Sequence, residues 1–226
     1  MPQSLRPIII LIITTVALAP VFIMFPHIDL WMSGQFYNVG KGGFWLKDNP
    51  ILLVLYYLAG KPGKYTLIAL LAALLGYNLL TGKKFIFDRK ALSFLVMAAL
   101  LGPVLITGAF KETFHRARPV QTVDFGGEKP FTPAFEISHY CAGECKSFVS
   151  GHTSMGFFLV AFALVIADAR KRKKAYICLF LLGIAIALAR IMQGAHYLSD
   201  VTFGGLFTLI STHTLYYCIY RKAKAS

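Results

Sequence analysis

Long runs without a charged residue dominate this chain, and they decide what it can fold into. In a bilayer, roughly 17–25 apolar residues make one crossing helix. Six runs read as crossings: Ile8 to Phe25, Tyr65 to Thr81, Ala91 to Phe110, Thr153 to Ala167, Ala175 to Ala189 and Val201 to Tyr220. Several are short, so flanking Lys and Arg side chains are expected to reach back to the interface. The stretch Ile51 to Ala59 is too short to cross, and it reads with Ile28 to Tyr37 as a pair of interfacial helices. Composition agrees: of 226 residues, 57% are hydrophobic and 15% charged, against about a quarter charged in a soluble domain. The fold class is therefore all-α, a polytopic six-transmembrane-helix bundle with outer interfacial helices and a long outer loop. No domain boundary, low-complexity tract or internal repeat is visible, so residues 1–226 read as one membrane domain.

Basic residues orient the bundle, because short cytoplasmic loops collect Lys and Arg. Arg6, then Lys83, Lys84, Arg89 and Lys90, then Arg170 to Lys174, and finally Arg221, Lys222 and Lys224 form one dense set. That set is expected inside, with both termini. The long stretches Pro26 to Lys64 and Lys111 to His152, and the turn before Asp200, are then outside. The net charge of +13 is mostly this topology signal. Its basic runs are short and lie against membrane segments, which excludes nucleic acid as a partner and leaves the lipid bilayer. The first run carries Ala17-Leu18-Ala19, which looks like a cleavage site, but Pro20 follows and the apolar run continues to Phe25. It is expected to stay as an anchor.

Three polar clusters remain, each where an apolar run meets an outer loop. They are Lys111 with Arg118-Pro119, Ser150-Gly151-His152, and Arg190 with His196 and Asp200. Charges at membrane depth are costly and usually functional. A phosphate monoester offers three anionic oxygens. Arg118 and Arg190 can grip it bidentately and Lys111 adds a compact charge. Ser150 and Gly151 stand at a helix start, where free N–H groups favour an anion. His196 and Asp200 are spaced i,i+4, so on a helix they share a face. A carboxylate holding one imidazole nitrogen frees the other as a nucleophile, and His152 can protonate a leaving oxygen.

Taken singly, these residues have plainer roles. Lys111 and Arg190 can anchor helix ends, Ser150-Gly151 or Asp200 can simply cap helices, and His196 can pair with Tyr197 at the interface. Such roles do not predict convergence on one membrane face. Arg116, inside the first cluster, reads equally well as a solvated charge. His27 is expected at the interface, His213 satisfied by a neighbouring helix, and His139 in the outer loop has no assigned role. No His or Cys spacing suggests a metal site, and no cofactor motif is present.

Lys-x6-Arg-Pro, Ser-Gly-His and Arg-x5-His-x3-Asp resemble the three signature motifs of the type 2 phosphatidic acid phosphatase superfamily. Two positions depart from the common pattern: Val149 where Pro often precedes Ser-Gly-His, and Ala189 where Ser often precedes the Arg. Neither removes a reacting group. The resemblance implies metal-independent hydrolysis through a phosphohistidine, with His196 as nucleophile, Asp200 its partner and His152 the general acid. Lys111, Arg118, Arg190, Ser150 and Gly151 would hold the phosphate. A narrower likeness rests on Phe125-Gly126-Gly127, Phe131-Thr132-Pro133 and Cys141-x3-Cys145 leading into Ser147-Phe148-Val149-Ser150-Gly151-His152, with Ser154-Met155-Gly156-Phe157 and Arg190-Ile191-Met192-Gln193-Gly194 downstream. These are similar to the bacterial lipid A phosphatases, the 4′-phosphatase branch in particular. That implies a phosphorylated membrane lipid as substrate and an active site at the periplasmic face of the inner membrane. Undecaprenyl diphosphate and phosphatidylglycerophosphate are alternative substrates. A non-enzymatic lipid-binding or transport protein is a remoter reading, opposed by the intact His152, His196 and Asp200.

Cys178 and Cys218 fall in apolar runs and read as packing residues. Cys141 and Cys145 lie together in the outer loop, where an oxidising compartment permits a short-loop disulfide that braces Ser150 to His152.

Overall fold

The computed structural model describes residues 5–141 and 143–221. Lys222 and Lys224 of the basic set, and both chain ends, lie outside the described residues. Among these residues the chain is mostly helical. Sheet is confined to one antiparallel pair, Tyr37–Asn38 with Gly43–Phe44.

The N-terminal part holds α1 (Arg6–Met24), α2 (His27–Gly34), α3 (Pro50–Ala59) and α4 (Lys61–Thr81). Next comes a continuous helical rod of α5 (Arg89–Leu100), a wider π-type stretch at Leu101–Ile106, and α6 (Thr107–Phe114). Pro103 lies in that stretch, where it cannot donate an N–H and loosens the ladder. The Pro103 carbonyl accepts from Lys64 Nζ at 3.2 Å. After an irregular loop follow α7 (Gly151–Phe158), α8 (Val160–Leu164), α9 (Ala169–Met192) and α10 (Leu198–Arg221). Side-chain caps set several starts. Asn49 accepts from Ile51 and Leu52 amides, Asp88 from Ala91, Ser150 from Thr153 and Asp168 from Lys171.

Four segments are long and apolar enough to cross a membrane: α1, α4, Arg89–Gln121 and α9. The other two expected crossings differ. Thr153 to Ala167 is divided at Leu159 into the short α7 and α8, while α10 has the length but is diluted by Gly, Ser, Thr and His. The reason is enclosure by protein. Thr153 to Phe158 are all buried, as are Ser199, Asp200, Phe203, Thr208 and Thr212 of α10. Helices that face other helices carry small and polar residues at the contact. By contrast only 11% of the apolar window of α1, and of α4, is buried, so these two present their aliphatic side chains outward. Arg170 to Lys174, expected as an inner loop, instead form the first turns of α9.

Close approach of α7 to α9 runs through glycine. A Cβ on Gly156 would sit 3.2 Å from the Gly183 Cα and 3.0 Å from Ile186 Cδ1. One core packs Phe94, Leu95 and Ala98 of α5 against Phe158 and Ala161. A second is aromatic: Phe22, Phe148 and Phe203, with Phe110, Phe114 and Phe135 beside them. Its edge-to-face pairs, such as Phe135–Phe203 at 4.7 Å, each contribute about 0.5–1.5 kcal/mol beyond burial. They fasten the long loop onto α1, α6 and α10.

Candidate active site

The three clusters meet at one end of the bundle. A cleft of about 390 Å³ is lined by Lys111, Arg118, Gly151, His152 and His196, with Lys64 and Gly60 on its far wall. Lys111 projects from α6 and its ammonium donates to the Lys146 carbonyl. Arg118 stands just before the Pro119–Gln121 turn, its backbone N–H held by Gln121 Oε1 at 2.9 Å. Gly151 opens α7, and a Cβ there would meet Thr107 Cγ2 at 3.3 Å.

Ser150 is buried and its hydroxyl is engaged in the helix cap, accepting from Thr153 Oγ1 at 3.0 Å. Its backbone N–H donates to the Asp200 carbonyl at 3.0 Å, which ties the start of α7 to the start of α10. Arg190, near the end of α9, donates through Nη1 to Gln193 Oε1 and lies over the Tyr56 ring at 5.0 Å. The same Tyr56 ring stacks on His152 at 4.8 Å. Gly60 makes this possible, because a Cβ there would come within 3.0 Å of His152 Nε2. Arg190 Nε and His152 Nε2 are buried without a hydrogen-bond partner.

His196 lies in the loop before α10, so it and Asp200 do not share a helix face as the i,i+4 spacing suggested. They are nevertheless close, with His196 Nδ1 3.6 Å from Asp200 Oδ2. The Ser147 hydroxyl sits beside both, 3.3 Å from His196 Nδ1 and donating to Asp200 Oδ2 at 2.5 Å. Burial first, then the charges of Lys111, Arg118 and Arg190, hold the His196 imidazole well below its ordinary pKa. It is therefore neutral at physiological pH and keeps a lone pair.

Beneath the site Arg116 is buried, 1% exposed, which corrects the alternative of a solvated charge. Its Nη1 donates to Asp200 Oδ1 at 2.7 Å and to Ser199 Oγ at 2.8 Å, its Nη2 to Asp29 Oδ2 at 2.8 Å, and its Nε to the Thr132 carbonyl at 2.7 Å. The Tyr197 ring lies 4.4 Å from the guanidinium carbon. Asp29 comes from α2 and also accepts from the Ser199 backbone at 2.8 Å. Burial pushes its carboxyl above the ordinary carboxylate range, and Arg116 pulls it back in part.

Asp29, Ser147 and Tyr56 were not singled out from the sequence. Asp29 had a signal, a lone acid in the apolar stretch Ile28 to Tyr37, where an unpaired charge is rarely buried. Ser147 stood in the stretch that resembles the lipid A phosphatases but had no role of its own, and Tyr56 had no signal, since Tyr is common at membrane interfaces. Of the remaining histidines, His139 is exposed and does not line the cleft, and His213 bonds to Tyr176 of α9 at 2.9 Å. Cys141 and Cys145 are joined as a disulfide, Cα–Cα 5.4 Å, and pack on Ala117 beside Arg118.

The chain is 38% identical over 202 residues to a lipid A 4′-phosphatase of Francisella tularensis subsp. novicida, covering 89% of this chain and 90% of that one. It is 32% identical over 208 residues to a lipid A 4′-phosphatase of Rhizobium etli, covering 86% of this chain and 80% of the relative. A lipid A 1-phosphatase of Rhizobium etli is 40% identical, but over 112 residues that span 43% of it. No solved structure matches. The family model described as PAP2 superfamily matches residues 90–224, and this protein belongs to that superfamily.

Proposed function

We propose that this protein is an integral-membrane lipid phosphatase that removes a phosphate monoester from lipid A, the 4′-phosphate in preference to the 1-phosphate. The observation that carries the reading is the meeting of Lys111, Arg118, Gly151, His152 and His196 in one cleft, with Asp200 directly behind. The choice of the 4′ position rests on the near full-length likeness to 4′-phosphatases, against half-length likeness to 1-phosphatases.

In this mechanism Lys111, Arg118 and Arg190 neutralise the phosphate, and the Gly151 end of α7 receives an oxygen. Arg190 Nε and His152 Nε2, both lacking protein partners, are the donors an anion would satisfy. His196 Nε2 attacks phosphorus as the P–O bond to the sugar breaks, and His152 gives a proton to the departing oxygen. Water then attacks the phosphohistidine and gives a proton back to His152, the N–P bond breaks with its electron pair returning to His196, and inorganic phosphate leaves. The positive charge comes from side chains, and among the described residues no three His, Cys, Asp or Glu are grouped to hold a metal. Purified protein with lipid A and EDTA should release phosphate, and mass spectrometry of the product should show the 4′ position cleared. Vanadate should inhibit. Activity abolished by EDTA and restored by magnesium or zinc would sink the mechanism, and a product lacking only the 1-phosphate would reassign the substrate position.

The full layout is six crossings in one membrane domain, with α7–α8 and α10 threaded through the bundle, both termini cytoplasmic and the cleft periplasmic in a bacterial inner membrane. Its support is the asymmetry of basic residues. A cysteine at the exposed position Glu128, in a Cys178→Ala, Cys218→Ala background, should react with a membrane-impermeant thiol reagent in intact spheroplasts. Reaction only after lysis would invert the topology.

A further inference from the structure

An Asp carboxylate orients an imidazole best through a direct hydrogen bond, and here the pair stands at ion-pair distance without one. His196 Nδ1 and Asp200 Oδ2 are 3.6 Å apart, beyond the roughly 2.7–3.2 Å of an N–H···O hydrogen bond. Ser147 fills the gap. We propose that Ser147 is a positioning residue that links the two, so that Asp200 orients the nucleophile through a hydroxyl instead of touching it. The proposal rests on His196 being the nucleophile, as argued above.

The donor count gives the direction of each bond. Asp200 Oδ1 receives Arg116 Nη1, and Oδ2 receives the Tyr197 backbone N–H at 2.8 Å. A carboxylate held by a permanent guanidinium acts as acceptor only. Ser147 has one hydroxyl proton, and it goes to Oδ2 at 2.5 Å. The oxygen lone pairs are then what faces His196 Nδ1 at 3.3 Å, so Nδ1 must bring the proton of that contact. This selects the tautomer with a free lone pair on Nε2, the nitrogen on the opposite side of the ring. Ser147 itself is completely buried, and its N–H is tied to the Arg116 carbonyl at 3.0 Å. Bulk water does not compete for its hydroxyl.

The link carries no proton. When the Nε2–P bond forms and the P–O bond breaks, the ring becomes a phosphoimidazolium that keeps its Nδ1 proton. Ser147 oxygen, polarised by Asp200, accepts that hydrogen bond more strongly as the ring gains charge. When water displaces the imidazole, the N–P electron pair returns to Nε2 and the link relaxes. Its benefit is therefore greatest in the transition state, which places it in kcat and leaves KM alone.

The test compares Ser147→Ala and the near-isosteric Ser147→Cys, a weak donor, with Asp200→Asn, measuring phosphate release from lipid A and from short-chain phosphatidic acid. Each Ser147 variant should lose about 10–100-fold in kcat with KM unchanged, the scale of a hydrogen bond to a charged group. Because Ser147 acts through Asp200, the Ser147→Ala, Asp200→Asn double variant should be no more than about 3-fold slower than Asp200→Asn alone. Wild-type kcat in both Ser147 variants, or losses that multiply in the double variant, would overturn the link. If the alanine variant fails to fold, the cysteine variant alone decides in the same way. Nitrogen-15 NMR of the His196 ring gives a readout that needs no substrate: Nδ1 protonated is expected, and Nε2 protonated in the resting protein overturns the proposal. Cleavage of phosphatidic acid with lipid A left intact would reject the lipid A assignment, and the kcat comparison on phosphatidic acid then decides the link.

Discussion

His196→Ala is expected to abolish phosphate release, by about 10⁴-fold or more, while the protein stays folded. Losses of that order follow when the attacking group of a covalent mechanism is removed. Nothing else lining the cleft can replace a neutral imidazole. Lys111 is engaged with the Lys146 carbonyl, and His152, the proposed proton donor, is stacked on Tyr56. The variant should retain its elution volume in detergent and lose the acid-labile, base-stable phosphate trapped on the wild type during turnover. Substantial turnover by verified His196→Ala protein would refute the phosphohistidine route.

Arg116→Met should be the most destabilising single change in the site, by about 3–5 kcal/mol, the cost of removing one partner from a buried ion pair. Asp29 and Asp200 are both fully buried and both lean on this one guanidinium. Without it, two carboxylates face each other across a dry space, and one must take up a proton or the loop must open. Adding Asp29→Asn to Arg116→Met should recover part of the stability, because one of the stranded charges is gone. Activity should stay low in both, since Asp200 has lost its anchor. Thermal unfolding in detergent measures the first expectation. An Arg116→Met protein as stable as the wild type would show that the buried charges are not coupled as the distances indicate.

The residues proposed to react were picked out from the sequence, and those that hold them were not. Lys111, Arg118, Gly151, His152 and His196 could be found because their spacings are ordered and each sits where an apolar run ends, so one face collected them. Ser150 was found too, but its hydroxyl is engaged in the cap of α7, a distinction that spacing alone does not carry. His196 and Asp200 were placed together for a partly mistaken reason. The i,i+4 rule assumes a helix, and the chain enters α10 only at Leu198. Arg116 was ambiguous because one Arg in a loop looks the same whether it meets water or two carboxylates. Its meaning depends on Asp29, 87 residues away, and no local pattern links them. Crossing count was legible only in part. Hydropathy reads a segment as if lipid surrounded it, whereas α7 and the first half of α10 bury small and polar residues against other helices.

Asp29 also has a consequence for how the chain is made. The matched family region begins at residue 90, yet the counter-charge that Arg116 shares with Asp200 is supplied from α2, far upstream. Asp29 is made before the segment after α6 that carries Arg116, and Asp200 is made last. The ion pairs that neutralise the carboxylate behind His196 therefore join three parts of the chain. A chain whose first helix inserts wrongly would still carry every reacting group, but it would lack the means to desolvate them together. Placement of the N-terminal segment is thereby expected to govern the appearance of activity, since a copy without it keeps the side chains of the cleft but not the charge balance beneath them.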